Sequence, residues 1–306
     1  MRKRFGFTIV ELLTALVVIA ILVGFLIPAM SMVRKIAKET AQKHQLATLD
    51  MAIMAFKNDY GDYPPSEWRP APPPPEDYCG AQKLAEALLG WDLVGFHPDS
   101  AWRADGYDGL TPSGPWTYDP DKVRGDNSLH ERKGPYLELA TTNVFKLDDL
   151  FDGSSYTAPL DGQRFVICDV FGVKKVSIGG KMVKAGTPIL YYKANTSSKT
   201  IDPSVPWNDR IYSAYDNLPL VVELGIMTDN PPRSIVQPYG HPLGWDIENL
   251  YNSDHGGDVG ENGICGIRDS RILPPAPAWP YRPDSYILIS AGADGLYGTS
   301  DDIRNF

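Results

Sequence analysis

The chain opens on one unbroken apolar stretch and then changes its pattern. From Phe7 to Val33 nearly every position is apolar, about 27 residues, and Glu11 is the one acid among them. About 20 apolar residues suffice to cross a bilayer as a helix. From Arg34 to Tyr60 polar residues enter, and Ile36, Leu46, Leu49, Ile53 and Phe56 recur at spacings near three and four. That is the signature of an amphipathic helix. No proline falls between Pro28 and Pro64, Gly61 supplies a stop, and Pro64-Pro65 confirms it. The pattern predicts a single helix of about 50 residues, about 75 Å at 1.5 Å per residue. Its first half suits lipid and its second half should lie on a soluble domain. Pro28 should kink or loosen it, because proline removes a ladder donor.

Beyond residue 64 the pattern is broken and short. Pro72–Pro75 reads as a polyproline-type loop. Ala81–Leu89 has helical spacing and ends at Gly90. Residues 97–133 are rich in Asp, Gly, Pro and Trp and read as long loops. Arg164–Val170 and Pro188–Lys193 are strand candidates that pair plausibly, with Ser177–Gly180 as the turn signal between them. Leu218–Leu224 is a strand or helix candidate, and Ser285–Ser290 a further strand. A long helix followed by short strands predicts an α+β fold with a small antiparallel sheet and long loops.

Composition narrows the class. The chain has 306 residues, 43% hydrophobic and 22% charged, enough for one anchor and one medium globular domain. Its 28 glycines and 27 prolines agree with a loop-rich body. The net charge is −9, and Arg2, Lys3 and Arg4 carry positive charge at the very start, so the body is more acidic still. An acidic body argues against nucleic acid as a partner. Cys79, Cys168 and Cys265 form no CxxC motif. They read as buried or free thiols, or as one disulfide and one free thiol outside the cytoplasm.

No Gly-x-Ser-x-Gly, His-Glu-x-x-His or phosphate loop occurs, and no enzyme activity is expected. His44 reads as a solvated helix residue, and Met51 and Met54 as packing. His241, Asp254, His255, Asp258 and Glu261 read as loop residues of a large insertion.

Glu11 needs a physical account. A carboxylate at membrane depth costs about 2.5–3.5 kcal/mol on insertion scales. A secretory signal peptide would have a shorter apolar core and a small-x-small cleavage site, and Ala29-Met-Ser31 is a weak one. A plain anchor fits the length, with Arg2, Lys3 and Arg4 holding the N-terminus in the cytoplasm, yet it explains neither Gly6 nor Glu11. The string Gly6-Phe7-Thr8-Ile9-Val10-Glu11-Leu12-Leu13 resembles the class III signal of type IV prepilins and pseudopilins. The resemblance implies cleavage by a prepilin peptidase between Gly6 and Phe7 and N-methylation of Phe7. It also implies that Glu11 pairs with the terminal amine of a neighbouring subunit during assembly, which supplies the missing cation.

Three further strings sharpen the resemblance. Gly134-Pro135-Tyr136-Leu137, Asp169-Val170-Phe171-Gly172 and Gly186-Thr187-Pro188-Ile189-Leu190-Tyr191-Tyr192 are similar to the spaced core motifs of the type II secretion major pseudopilin, the G subunit. Val170 stands where that family has proline, and Val173 to Ala185 intervene where the family runs almost directly on. The end of the chain, Ala293-Asp294-Gly295 to Gly298-Thr299-Ser300-Asp301-Asp302-Ile303, resembles that subunit's calcium loop. The resemblance implies a structural calcium held by Asp294, Asp301 and Asp302, with backbone candidates at Ile289, Ser290 and Thr299. Calcium takes six to eight oxygen ligands, and Gly295 and Gly298 supply the bends such a loop needs.

The expected organisation is a leader at 1–6, an assembly and membrane helix at 7–33, the amphipathic half of the same helix at 34–63, and a periplasmic domain at 64–306. That domain would carry insertions at about 66–133 and 194–284 and a calcium loop at 289–303. The implied function is a structural subunit of a periplasmic pseudopilus for type II protein secretion. A type IV pilin or minor pilin-like subunit for adhesion is the alternative. The implied partners are other copies of the chain, other pseudopilins, the inner-membrane secretion assembly and the prepilin peptidase. The implied location is the bacterial inner membrane, single-pass, with the C-terminal domain in the periplasm.

Overall fold

The structure, a computed structural model, describes residues 8–68, 78–106, 117–118, 128–151, 160–200, 209–217, 219–223, 271, 279–297 and 301–306. Gly6, Phe7, the Pro72–Pro75 loop, Leu218, His241, Asp254, His255, Asp258, Glu261, Cys265, Gly298 and Thr299 lie outside them. Two units are present, Met1–Ala41 and Gln42–Phe306.

Helix α1 spans Ile9–Tyr60 and runs through Pro28 without a break in its assignment. In the first unit its apolar side chains from Ile9 to Val33 are exposed. By length and composition this stretch can cross a membrane. In the second unit one face of α1 is buried, through Gln42, Leu46, Leu49, Ala52, Ile53 and Phe56. Those positions recur every three or four residues, as the polar and apolar pattern predicts. Ile36, expected on that stripe, is exposed. Gly61 ends the helix at φ 87°, a backbone region that glycine enters freely, and its N–H donates to the Lys57 carbonyl at 2.7 Å.

The remaining elements are short. Helix α2 is Gly80–Leu89, α3 Ser128–Glu131 and α4 Leu147–Leu150. The strands are β1 Val144–Lys146, β2 Phe165–Ile167, β3 Lys174–Ile178, β4 Lys181–Ala185, β5 Leu190–Lys193, β6 Tyr286–Ser290 and β7 Ile303–Arg304. They form three antiparallel sheets, β1-β2, β3-β4 and β5-β6-β7. The fold is α+β, as expected.

One expectation about the strands needs correction. The segments around 164–170 and 188–193 do not form a hairpin ladder. They meet at the Cys168–Pro188 bridge, while β2 pairs with β1 and β5 with β6. The turn signal at Ser177–Gly180 serves a separate hairpin, β3–β4, with Gly179 and Gly180 both at positive φ. The reason is that apolar alternation marks a strand without naming its partner. β6 is buried at every position, and it satisfies β5 from almost a hundred residues further along. At Leu218–Leu224, where strand and helix both stood open, Pro219–Glu223 forms a π-helical turn, so the helical alternative holds.

Alternation in β5 and β6 builds two cores. Tyr191, Tyr286 and Leu288 pack with Leu46, Leu49, Ile53 and Phe56 of α1 and with Leu84 and Leu88 of α2. Leu190, Tyr192, Ile287 and Ile289 point the other way, into a cluster with Phe145, Leu147, Leu150, Val166 and Val221. Successive strand residues face opposite sides, so one buried sheet serves both clusters. Cys79 and Cys168 are free and fully buried in the second of these, and burial pushes the Cys79 thiol up to about 11.

Helix α2 is buried along its whole length, polar residues included. Gln82 donates to the Asp161 carbonyl at 2.9 Å and accepts from the Cys79 N–H at 3.1 Å. Glu86 accepts from the hydroxyls of Ser100 and, at 2.8 Å, Tyr118. Such bonds offset the cost of taking polar groups out of water. Burial raises the pKa of Glu86 despite them.

Candidate functional site

The N-terminal end of α1 is built as a capping box. Thr8 precedes the first helical residue. Its N–H and its hydroxyl both donate to Glu11 Oε2 at 2.8 Å, and the Glu11 N–H donates to Thr8 Oγ1 at 3.2 Å. The first turn of a helix leaves amide donors without partners, and a Thr-x-x-Glu spacing satisfies two of them reciprocally. The sequence held this signal, Thr8-Ile9-Val10-Glu11, and a reading of Glu11 as an assembly residue alone passes over it. Both bonds reach Oε2. Around this carboxylate the apolar side chains Ile9, Val10, Leu12 and Leu13 are exposed.

In the globular unit the second and third core strings meet at Asp169. Asp169 is buried, and its Oδ1 accepts the N–H of Phe171 at 3.1 Å and of Thr187 at 3.3 Å. Its Oδ2 accepts the Ser290 hydroxyl at 3.2 Å. A Cβ built on Gly186 would lie 2.1 Å from the Asp169 carbonyl oxygen, so a side chain there has no room. Gln42 of α1 accepts the Val170 N–H at 2.9 Å, and Gln45 donates to the Cys168 carbonyl at 2.9 Å. Tyr136 donates its hydroxyl to Asp59 of α1 at 2.7 Å and its N–H to the Leu88 carbonyl at 2.7 Å. One carboxylate thus ties the turn after β2, the start of β5 and the end of β6 together.

The C-terminal loop leaves from that node. Ser290 ends β6, and the Ile289–Arg304 and Ser290–Ile303 pairs bring β7 back beside it. Asp301 Oδ2 accepts the N–H of Ala293 at 2.6 Å and of Asp294 at 3.1 Å, and Asp294 Oδ1 accepts the N–H of Leu296 at 2.8 Å. Gly292 and Gly295 are at φ 68° and 75°. A Cβ on Gly292 would meet the Asp301 carbonyl at 2.3 Å, so the two arms of the loop touch through a glycine. The Asp301 carboxylate is therefore brought to the backbone of Asp294, whose own carboxylate turns to Leu296, with Asp302 next in chain. Every donor in this set is an oxygen, which suits a hard cation such as calcium rather than zinc or copper. Asp294, Asp301 and Asp302 are the residues that would hold such an ion, though their three carboxylates do not gather ligand atoms within 4.8 Å of one another.

A different cluster escaped the sequence reading. Among the described residues, His97, Asp99 and Glu131 bring ligand-type atoms within 4.8 Å of one another. His97 Nδ1 accepts the Asp99 N–H at 3.2 Å, and Nε2 lies 3.6 Å from Glu131 Oε2. Since Nδ1 accepts, the neutral ring carries its proton on Nε2, facing the carboxylate. No lone pair is left there for a metal. Burial lowers the pKa of His97 and favours this neutral form. The cluster staples a loop.

A polar cavity of about 560 Å³ lies against the end of α1 and the end of β5, lined by Lys57, Tyr63, Ser66, Lys193, Arg210 and Asp216 among others. Asp216 is buried and accepts the Ser66 hydroxyl. Burial pushes its pKa up to about 7, against the Ser66 hydrogen bond and the charge of Lys83. Nothing in the sequence singled out this residue, because its burial arises from segments far apart in the chain.

The start of α1 is also where comparison with known proteins finds a match. The family model for the prokaryotic N-terminal methylation motif matches residues 1–27. The match is to an N-terminal signal of the type IV prepilin kind, which suggests processing by a prepilin peptidase and polymerisation. Among the described residues one helix is long and apolar enough to cross a membrane, and its place near the N-terminus fits membrane anchoring. No curated protein and no solved structure matches the chain.

Proposed function

We propose that the chain is a structural pseudopilin that polymerises into a periplasmic pseudopilus serving type II protein secretion. The observation that carries the reading is a carboxylate, Glu11, set in an exposed apolar helix within a methylation-type N-terminal motif. A cut between Gly6 and Phe7 would create an ammonium, and a neighbouring copy's ammonium would offset the membrane cost of Glu11. Glu11 Oε2 is engaged by Thr8 in the single chain, so the carboxylate is already oriented at the helix start when a partner arrives. The meeting of two of the G-subunit-like strings at Asp169, beside Ser290 at the end of β6, supports the same reading for the globular domain. In that reading the C-terminal loop binds calcium through Asp294, Asp301 and Asp302, and the ion fastens the loop to β6 and β7.

Mass spectrometry of the protein purified from membranes tests the first step. The expected mature terminus is N-methylated Phe7, and a host lacking the processing peptidase should retain residues 1–6. An intact leader in a competent host would overturn the reading. Deleting the gene and assaying secreted enzymes separates it from a role as a type IV pilin or minor pilin-like subunit, which the large insertions favour. Loss of twitching or adhesion with secretion intact would select that second role.

A further inference from the structure

Hairpin β3–β4 is the part of the globular unit whose charge opposes the rest. Residues 173–185 hold Lys174, Lys175, Lys181 and Lys184 and no acid, in a chain of net charge −9. Cross-strand register puts Lys175 directly opposite Lys184 and Ser177 opposite Met182. Side chains alternate along strands, so Lys175, Ser177, Met182 and Lys184 share one face, and all four are exposed. The other face is anchored through β3, while its β4 members Lys181 and Val183 are exposed. Val176 is buried, Ile178 packs on the core beside it, and Lys174 Nζ donates to the Leu150 carbonyl at 2.9 Å. The hairpin is therefore held from one side while it presents two lysines and a methionine on the other. Like charges directly opposite each other in a ladder destabilise it. Among the described residues, Lys175, Lys181 and Lys184 have no ion pair to relieve that repulsion.

We propose that this lysine-bearing face of β3–β4 docks on the acidic surface of a second copy of the chain. Charge complementarity names the occupant. The chain outside the hairpin is strongly acidic, and opposite potentials steer and register association. The methylation-type N-terminus independently suggests a chain that polymerises. The inference rests on that reading and adds a contact in the globular domain, distant in sequence from Glu11.

The test uses the full-length mature protein in phosphatidylcholine vesicles, with multimers measured by density-gradient sedimentation. Wild-type multimers should weaken as salt rises, since exposed charges are screened. K175R/K184R should behave as wild type. K175E/K184E should lower the association constant about tenfold, the combined effect of two exposed pairs turned repulsive. Its melting temperature should hold, because both side chains are exposed. If the Glu pair melts early, K175Q/K184Q replaces it with a smaller loss in the same direction. Multimers of K175E/K184E equal to wild type would overturn this contact alone. No multimers from wild type would overturn it together with the proposed function. A loss seen in phosphatidylglycerol vesicles and absent in phosphatidylcholine would mean the lysines meet lipid, and would overturn it as well.

Discussion

Removing the Asp169 carboxylate should cost more than any other single polar truncation considered for this fold. In Asp169→Ala, the buried N–H groups of Phe171 and Thr187 lose their acceptor, and the Ser290 hydroxyl loses its own. A buried donor left unmatched costs about 1–3 kcal/mol. The hydroxyl can rotate toward another acceptor, but the two amides are fixed by the backbone. The expected loss is therefore roughly 2–6 kcal/mol. For a domain of this size that lowers the melting temperature by about 4–24 °C, at about 2–4 °C per kcal/mol. Asp169→Asn keeps an oxygen where the two amides converge. Its new NH2 group meets Ser290 Oγ, which can accept as readily as it donates. The expected loss is then about 1 kcal/mol. Thermal unfolding of the full chain in detergent, followed by circular dichroism, reads both. If Ala and Asn were equally costly, charge rather than hydrogen bonding would hold the node. An Ala loss under about 1 kcal/mol would show that the node holds nothing.

Asp216 gives a pH signature. Its folded pKa, about 7, lies above the unfolded 3.8, so the folded state prefers the neutral acid. The stability this contributes is present below about pH 4 and is lost as pH rises to about 7. Asp216→Asn keeps the Ser66 partner, so its stability advantage over wild type should grow from pH 4 to pH 7 and then level off; a constant difference would refute the assignment. Chelation should lower the melting temperature of the full chain and added calcium should restore it, an effect abolished in Asp294→Ala; melts unmoved by either treatment would remove the calcium reading. Thr8→Val and Glu11→Ala should part company. Thr8→Val should fray the first turn by about 1 kcal/mol, visible in amide exchange, with multimers intact. Glu11→Ala should abolish multimers in the native host, and their survival would leave the acid a cap and nothing more.

The features that local pattern can carry were legible in the chain. The length of α1, its stop at Gly61, the helix ending at Gly90 and the Gly179-Gly180 turn all follow from periodicity or from glycine's access to positive φ. The Thr8–Glu11 box is equally local, being one turn of helix. The methylation-type signal is also contiguous, so a family model can match it within residues 1–27. Tertiary structure decided the rest. It chose β6 as the partner of β5, it buried Asp169, Glu86 and Asp216, and it set Lys175 against Lys184 across a ladder. A strand's alternation says which face is apolar and nothing about which other strand completes it. Likewise a carboxylate's protonation depends on the water that distant segments exclude, and composition carries no record of that exclusion.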